Sequence, residues 1–184
     1  YQGGWPQADT RMLCVSAVKL VFSNLPRAYS QGDDLEAREA MALASLYGGL
    51  AFTRAAVGYV HAFAHKLGGM YGVPHGLANA ILLPRVLDFS KDAPQSEARL
   101  AELAVAIGAG SESEPKAVLA QRFVDRVREL NRTVGIPETV AKLRAEDIPL
   151  IARAARIEAA GDYPVPKNMS QGQAEALLTD CLEK

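Results

Sequence analysis

Three histidines, His61, His65 and His75, lie close together and are the only histidines in the chain. Histidine is the commonest metal ligand and the side chain that titrates near neutral pH. His61 and His65 are four positions apart, so on a helix both side chains project from the same face. Paired imidazole ligands use this spacing. The three histidines therefore indicate a metal site or a catalytic site.

The segment between His65 and His75 predicts a tight reversal of the chain. It contains the run Gly-Met-Tyr-Gly-Val-Pro at positions 69–74. Glycine commonly ends a helix, and the residue before a proline avoids helical conformation. Two antiparallel helices joined here would return His75 to the side of the first helix. The helix dipole at the start of the second helix disfavours a charged His75, and a metal requires the neutral imidazole.

The histidines by themselves do not complete a metal site. Iron and zinc sites also use oxygen ligands. The available carboxylates have no diagnostic spacing to the histidines; they belong to Asp9, Asp33, Asp34 and Asp88. Two hypotheses therefore stay open on these residues alone. The window is half of a metal centre whose other ligands lie elsewhere, or it is part of a metal-free helical scaffold or interaction module with the histidines packed inside.

The rest of the chain predicts helices that hold this window. Apolar residues recur at spacings of three and four, and glycines, prolines and polar turns separate the segments. We predict helices over 8–29, 35–54, 58–71, 75–86, 96–107, 115–134, 146–160 and 170–182. No pair of strands is evident. The predicted fold class is all-α, a multi-helix bundle.

Several local features carry expectations about these helices. Asp34 is a predicted N-cap of the second helix. The interior of that helix, 40–52, is small and apolar all round and is predicted to be buried, with Gly48-Gly49 admitting another backbone. Pro84 is expected to bend or close the fourth helix. Ser96 resembles the start of a capping box.

Composition narrows the function classes. The 184 residues include 20 basic and 21 acidic side chains, with no basic stripe, which argues against nucleic acid as a partner. No apolar run is long enough to cross a bilayer and no signal peptide opens the chain, so we expect no membrane partner. Cys14 and Cys181 form no CxxC pair and are expected to be free and buried, which indicates a reducing, cytoplasmic setting. The start at Tyr1 without Met indicates a processed chain or a fragment.

The histidine window also resembles a known signature. The pattern His-x3-His-x9-His, with Gly-Gly and Pro-His-Gly, is similar to the C-terminal signature of the iron-containing (group III) alcohol dehydrogenases. The segments 24–28, 34–39 and 51–53 are similar to that family as well. The resemblance implies the all-helical, dehydroquinate synthase-like C-terminal domain of a two-domain enzyme. The N-terminal domain of that family is Rossmann-like and binds NAD or NADP.

The resemblance implies a role for each histidine. His61 and His75 match two ligands of a divalent metal, Fe(II) or sometimes Zn(II), which the family binds through one Asp and three His. His65 matches the histidine beside the nicotinamide and the substrate, so it is the candidate catalytic and cofactor-binding residue. The other two ligands come, in the family, from an Asp-x3-His motif just upstream of the position that matches Tyr1. This chain has no such motif.

These implications lead to expectations for the chain and for the whole enzyme. We expect residues 1–184 to be a single helical metal-binding domain, a fragment without the nucleotide-binding domain, and inactive alone. The full-length enzyme would interconvert a small primary alcohol and an aldehyde by hydride transfer, as a homo-oligomer. Maleylacetate reductases share the architecture without the metal, but the run 76–79 favours the metal-dependent branch.

Two residues depart from the usual signature. Lys66 stands where Pro or Gln is common, and Arg85 replaces a frequent His. Lys66 adds positive charge beside the site, or it is a solvated surface lysine.

Overall fold

Residues 8–183 are described in a computed structural model of the chain. This part of the chain forms eight α-helices and one 3-10 helix, and no strand occurs within it. The all-α prediction is confirmed. The start of the chain at Tyr1, on which the expectation of a fragment depends, lies outside the described residues. The helices are α1 Ala8–Ser30, α2 Leu35–Ala55, α3 Tyr59–Tyr71, α4 His75–Ser90, α5 Pro94–Ala106, α6 Lys116–Thr133, α7 Ile148–Asp162 and α8 Gln171–Thr179, with the 3-10 helix at Ala145–Asp147.

Helix α4 continues past Pro84 to Ser90, so the prediction that it ends near residue 86 is wrong. A proline inside a helix has no N–H for the carbonyl four residues before it, here that of Ala80. The Asn131 side chain on α6 replaces this donor, because its Nδ2 lies 2.7 Å from the Ala80 carbonyl oxygen. A tertiary hydrogen bond thus satisfies the group that Pro84 leaves unpaired.

Two helix ends also differ from their predictions. Helix α5 begins at Pro94 with Ala93 as N-cap, and Ser96 lies fully buried in its first turn, so the capping box predicted at Ser96 is wrong. Proline is well suited to the first helical position, which moves the start two residues earlier. A capping box does form at Ser170, which exchanges hydrogen bonds with Gln173 at the start of α8.

Helices α1 and α2 form a hairpin at the side of the structure. Asp34 caps α2 as predicted, with its Oδ1 accepting from the Ala37 N–H at 3.0 Å. The predicted burial of α2 is wrong, because α2 packs mainly against α1 and its opposite face is open. A side chain at Gly48 or Gly49 would meet no atom within 4 Å, so no backbone approaches there. The exposed apolar residues of α2 are Leu35, Leu43, Leu46, Leu50 and Phe52.

Two hydrophobic clusters hold the remaining helices together. The first joins α3, α4, α7 and α8 around fully buried side chains that include Phe63, Leu67 and Ile151. The second joins α5 and α6 to the end of α4, and Phe22 of α1 packs on its edge. Helix α4 contributes to both clusters, and α3 is fixed in the first one through a fully buried face. The histidine window therefore lies on two helices of the larger hydrophobic cluster.

Both cysteines, Cys14 and Cys181, are free and buried, as predicted. No single helix in residues 8–183 is both long and apolar enough to cross a membrane. Helices α2 and α3 satisfy the same length and composition criteria only when taken together, and they are bent by 105° at their junction.

Candidate metal centre

The turn between α3 and α4 brings the histidines together in the way that the sequence predicts. Helix α3 carries His61 and His65 and ends at Gly72, whose left-handed conformation (φ 66°) lets its N–H bond the Gly68 carbonyl at 3.0 Å. Glycine adopts this conformation without a steric penalty. Pro74 precedes α4 as its N-cap. His75 is then the first residue of α4, beside the end of α3.

The three imidazole rings form one cluster. The ring centroids of His61 and His75 are 5.3 Å apart, and those of His61 and His65 are 6.0 Å apart. His65 and His75 lie 5.4 Å apart with their planes nearly parallel, at 15°. The predicted return of His75 to the face of α3 is confirmed. The assignment of His61 and His75 to a metal, and of His65 to the nicotinamide, stays a prediction from the resemblance.

The surroundings of His61 favour its neutral form. Burial lowers the pKa of this imidazole, and the positive charges that His75 and His65 would carry lower it further. The aromatic ring of Phe52, 6.4 Å from the His61 ring, lies beside it. A neutral imidazole has a free lone pair, which is the form that ligates a metal. The electrostatics of His61 therefore fit the role of a ligand.

Asn79 controls the orientation of the His75 ring. Its side-chain Nδ2 lies 3.0 Å from Nε2 of His75 and 2.8 Å from the His75 carbonyl oxygen. The Asn79 Oδ1 atom is buried and has no hydrogen-bond partner among the described residues. A buried amide oxygen without a partner is unfavourable by about 1–3 kcal/mol. The structure thus places an unsatisfied polar atom beside a candidate ligand.

His65 is bound by a carboxylate from a distant helix. Its Nδ1 lies 2.7 Å from Oε1 of Glu158 on α7. The same oxygen accepts a hydrogen bond from the Tyr163 hydroxyl at 2.8 Å, and Oε2 pairs with Lys66 Nζ at 2.6 Å. The Glu158 side chain is only 15% exposed. Four polar side chains thus form one network at the edge of the histidine cluster.

The charges of this network explain its two large pKa shifts. Burial raises the pKa of Glu158, but hydrogen bonds from Lys66, His65 and Tyr163 outweigh burial and lower it to about 2. Burial raises the pKa of Tyr163, and its hydrogen bond to the Glu158 carboxylate helps to bring it to about 12. Glu158 is therefore ionised and Tyr163 protonated at neutral pH.

The network also decides between the two interpretations of Lys66. Its ammonium pairs with Glu158 and its side chain is 30% exposed, so Lys66 is not a solvated lysine without a partner. Glu158 and Tyr163 were missed as site residues in the sequence. Glu158 lies 93 positions from His65, and no spacing rule connects the two.

The described residues supply only part of a metal-ligand set. Within residues 8–183, no group of three or more His, Cys, Asp or Glu side chains is arranged to hold a metal ion. The donors do have suitable chemistry, because neutral imidazole suits both iron and zinc. The arrangement of His61 and His75 therefore fits two ligands of a centre that needs further ligands.

A separate groove of about 580 Å³ lies between α4, α6 and α8, away from the histidines. Arg85 lines it and donates to the carbonyl oxygens of Ile81 (2.9 Å), Glu138 (2.7 Å) and Asp180 (2.9 Å). The last two of these bonds tie α4 to the loop before Val140 and to the end of α8. Arg85 therefore has a structural role and does not contact the histidine cluster.

The sequence matches the model of the Fe-containing alcohol dehydrogenase family, C-terminal, over residues 4–182. Alcohol dehydrogenase 4 of Saccharomyces cerevisiae is 37% identical over 176 residues, which are 95% of this chain and 44% of the relative. The 1,3-propanediol dehydrogenase of Klebsiella pneumoniae is 39% identical over 149 residues, covering 79% of this chain and 38% of the relative. The chain thus spans less than half the length of these relatives.

Solved structures agree in fold. A 1,3-propanediol oxidoreductase has a TM-score of 0.89 and 31% identity, covering 96% of this chain and 46% of the solved one. An alcohol dehydrogenase from Oenococcus oeni has a TM-score of 0.88 and 31% identity, with the same coverage. The helical arrangement of the described residues is therefore that of one part of these larger proteins.

Proposed function

The chain belongs to the Fe-containing alcohol dehydrogenase family, and we propose from this that it is the helical, metal-binding part of an NAD- or NADP-dependent alcohol dehydrogenase. In this proposal residues 1–184 form one domain, and the nucleotide-binding domain and an Asp-x3-His motif are contributed by sequence outside this chain. The observation that carries the proposal is the cluster of His61, His65 and His75, with ring centroids 5.3–6.0 Å apart.

Each histidine has a distinct role in the proposal. His61 and His75 would hold Fe(II) or Zn(II), and the lowered pKa of His61, which favours its neutral form, supports this assignment. When bound, the metal supplies Lewis acidity to the alcohol or carbonyl oxygen, and the nicotinamide carries the hydride. His65 lies beside the nicotinamide and takes the proton that the alcohol releases. Asn79 lies beside His75, with its Nδ2 3.0 Å from Nε2, and this contact would be released if Nε2 bound the metal.

The substrate class follows from the family and the surroundings of the cluster. Small primary alcohols and the corresponding aldehydes are the proposed substrates. Phe52 provides an exposed apolar surface next to His61, which suits the carbon chain of such a substrate. The proposed setting is a homo-oligomer in the cytoplasm, without nucleic acid or membrane partners.

The experiment that tests the metal site compares two lengths of the protein. The chain alone and the chain extended upstream through the Asp-x3-His motif are titrated with Zn(II) and, anaerobically, with Fe(II) by calorimetry. We expect the chain alone to bind more weakly than about 1 μM and the extended protein at least about tenfold more tightly. His61→Ala and His75→Ala should each abolish this gain, and Arg126→Ala on exposed α6 is the matched control. Sub-micromolar binding by the chain alone would show that its site is complete.

Turnover by the full-length protein separates the remaining alternatives. We expect nicotinamide-dependent oxidation of a primary alcohol that is lost after chelation and restored by metal. Activity that survives chelation would identify a metal-independent reductase of the maleylacetate type. Absence of both turnover and metal binding would identify a helical scaffold or interaction module.

A further inference from the structure

The Glu158 carboxylate on α7 contacts His65 on α3, 93 positions away in the sequence. Among the described residues, His65 is its one imidazole partner. Oε1 lies 2.7 Å from Nδ1 of His65, within the range of a strong hydrogen bond. The His65 side chain is 41% exposed. An imidazole with this much exposure can exchange tautomers unless a hydrogen-bond partner holds it. Stacking on His75 restricts the ring plane, and the hydrogen bond with Glu158 is the contact that can select the tautomer.

We propose that Glu158 is the positioning residue of His65: its carboxylate holds the ring as the Nδ1–H tautomer and leaves Nε2 as the nitrogen that accepts a proton. The inference rests on the proposed function for the role of His65. It adds Glu158, which lies outside the His-x3-His-x9-His pattern, to the site. Glu158 itself touches no reacting atom in this proposal.

The hydrogen-bond chemistry of Glu158 permits only one tautomer. An ionised carboxylate accepts hydrogen bonds and donates none, so the ring nitrogen that faces it must carry the hydrogen. The low pKa of Glu158, about 2, keeps the carboxylate ionised throughout the neutral range. A carboxylate bound to one ring nitrogen fixes the tautomer and leaves the lone pair on the other nitrogen. Nε2 of His65 is consequently the ring nitrogen with a free lone pair.

Two further side chains, Lys66 and Tyr163, bind the Glu158 carboxylate and hold it in place. Lys66 Nζ pairs with the other carboxylate oxygen, Oε2, at 2.6 Å. Tyr163 donates to Oε1 at 2.8 Å from the segment that follows α7. These donors fix both carboxylate oxygens, so the angle at which Oε1 meets His65 is set by three elements of the fold.

The Nδ1–H tautomer gives His65 a defined part in alcohol oxidation. In the full-length enzyme the C–H bond of the alcohol carbon breaks, and a bound oxidised nicotinamide would accept the hydrogen with its electron pair as hydride. The O–H bond breaks, and its proton passes to Nε2 of His65. The oxygen electron pair forms the C=O bond of the aldehyde. His65 becomes the imidazolium, and the Glu158 carboxylate stabilises this cation without taking the proton.

Nitrogen NMR of the chain measures the tautomer directly. The chain contains only three histidines, so ¹⁵N-histidine labelling gives three ring systems, which single His→Gln variants assign. Spectra are recorded at about pH 8.5, where imidazoles are neutral. We expect His65 to show a protonated Nδ1 and an unprotonated Nε2. In Glu158→Gln the amide can donate as well as accept, so we expect this single tautomer to be lost to a mixture.

Two control variants separate positioning from general stability. Lys66→Gln and Tyr163→Phe remove the neighbours of Glu158 but keep its Oε1, so the Nδ1–H tautomer of His65 should persist in both.

In the full-length enzyme, Glu158→Gln should lower kcat by about 10- to 100-fold with little change in KM.

Wild-type His65 in the Nε2–H form, or an unchanged tautomer in folded Glu158→Gln, would overturn the inference. Metal binding by His61 and His75 does not depend on that result. Conversely, if the upstream extension does not restore metal binding, that result contradicts the proposed function. It does not change the measured tautomer of His65. Circular dichroism of each variant establishes that the helices remain formed.

Discussion

The carboxylate of Glu158 accepts hydrogen bonds from an imidazole, an ammonium and a phenol, and it is more than four-fifths buried. Burial opposes the ionised form, yet the donors lower the pKa of Glu158 from 4.5 to about 2. A pKa that is lower in the folded than in the unfolded chain means that ionised Glu158 stabilises the fold. This stabilisation is fully present above the unfolded pKa and disappears as the pH falls toward the folded one.

We predict that the difference in stability between wild type and Glu158→Gln depends on pH in this window. Above about pH 5.5 the wild type should be more stable by about 1–2 kcal/mol, a value reduced for partial solvent screening. The difference should shrink between pH 4.5 and about 2, as Glu158 becomes protonated. Urea unfolding at several pH values measures it.

The control for this prediction is Glu129→Gln, since Glu129 is 54% exposed and its ion pair within residues 8–183 is with its neighbour on α6, Arg126. Its effect should be small at every pH. A difference for Glu158→Gln that stays constant down to pH 2.5 would contradict the stabilising role of the ionised carboxylate.

Helix α4 shows how one element depends on another for its continuity. Pro84 removes the N–H that would bond the Ala80 carbonyl, and the side chain of Asn131 on α6 supplies the missing donor at 2.7 Å. Pro84 is itself buried. The second half of α4, which enters both hydrophobic clusters, therefore requires a contact that is remote in sequence.

We predict that Asn131 and Pro84 are energetically coupled. Asn131→Ala leaves the Ala80 carbonyl without its donor and should lower the free energy of unfolding by about 1–2 kcal/mol. In the Pro84→Ala background the backbone N–H of residue 84 can bond that carbonyl, so Asn131→Ala should have a smaller effect, with a coupling of about 1 kcal/mol. Denaturant unfolding of the four proteins gives the cycle. Strict additivity would show that the Asn131 hydrogen bond does not compensate for the proline.

The molecule as a whole has a well-packed half and an open hairpin. The cluster of α3, α4, α7 and α8 buries large side chains completely, including Leu67. Helix α2 rests mainly on α1 and exposes Leu46 and Leu50 by 55% and 47%. Side chains with this exposure contribute little to stability of the single chain.

We predict that Leu46→Lys with Leu50→Lys leaves the free energy of unfolding within about 0.5 kcal/mol of the wild type. Leu67→Ala, in contrast, should lose about 2–5 kcal/mol, because it opens a cavity in a fully buried site. Urea unfolding at two protein concentrations measures both. A large loss in the double lysine variant that grows with protein concentration would show that a second copy covers α2 in solution.

Local signals explain why the sequence predicted so much of the fold. All eight helices were anticipated, because apolar periodicity, the Asp34 cap and glycines such as Gly72 act within a few residues. The histidine cluster was predicted for the same reason. Its members lie on two helices joined by one short turn, so their meeting needs no knowledge of the remaining chain.

Tertiary packing decided what these local signals do not contain. Composition predicts that α2 is buried, but burial requires neighbours on each side, and within residues 8–183 α2 packs mainly on α1 alone. Asn131 donates to the Ala80 carbonyl of α4 from 51 positions away, and Glu158 binds His65 from 93 positions away. The sequence by itself determined the helices and the place of the histidines, because those depend on short-range geometry. Only the folded chain determined the partners of Pro84 and His65, because hydrogen bonds between distant segments depend on how whole helices pack.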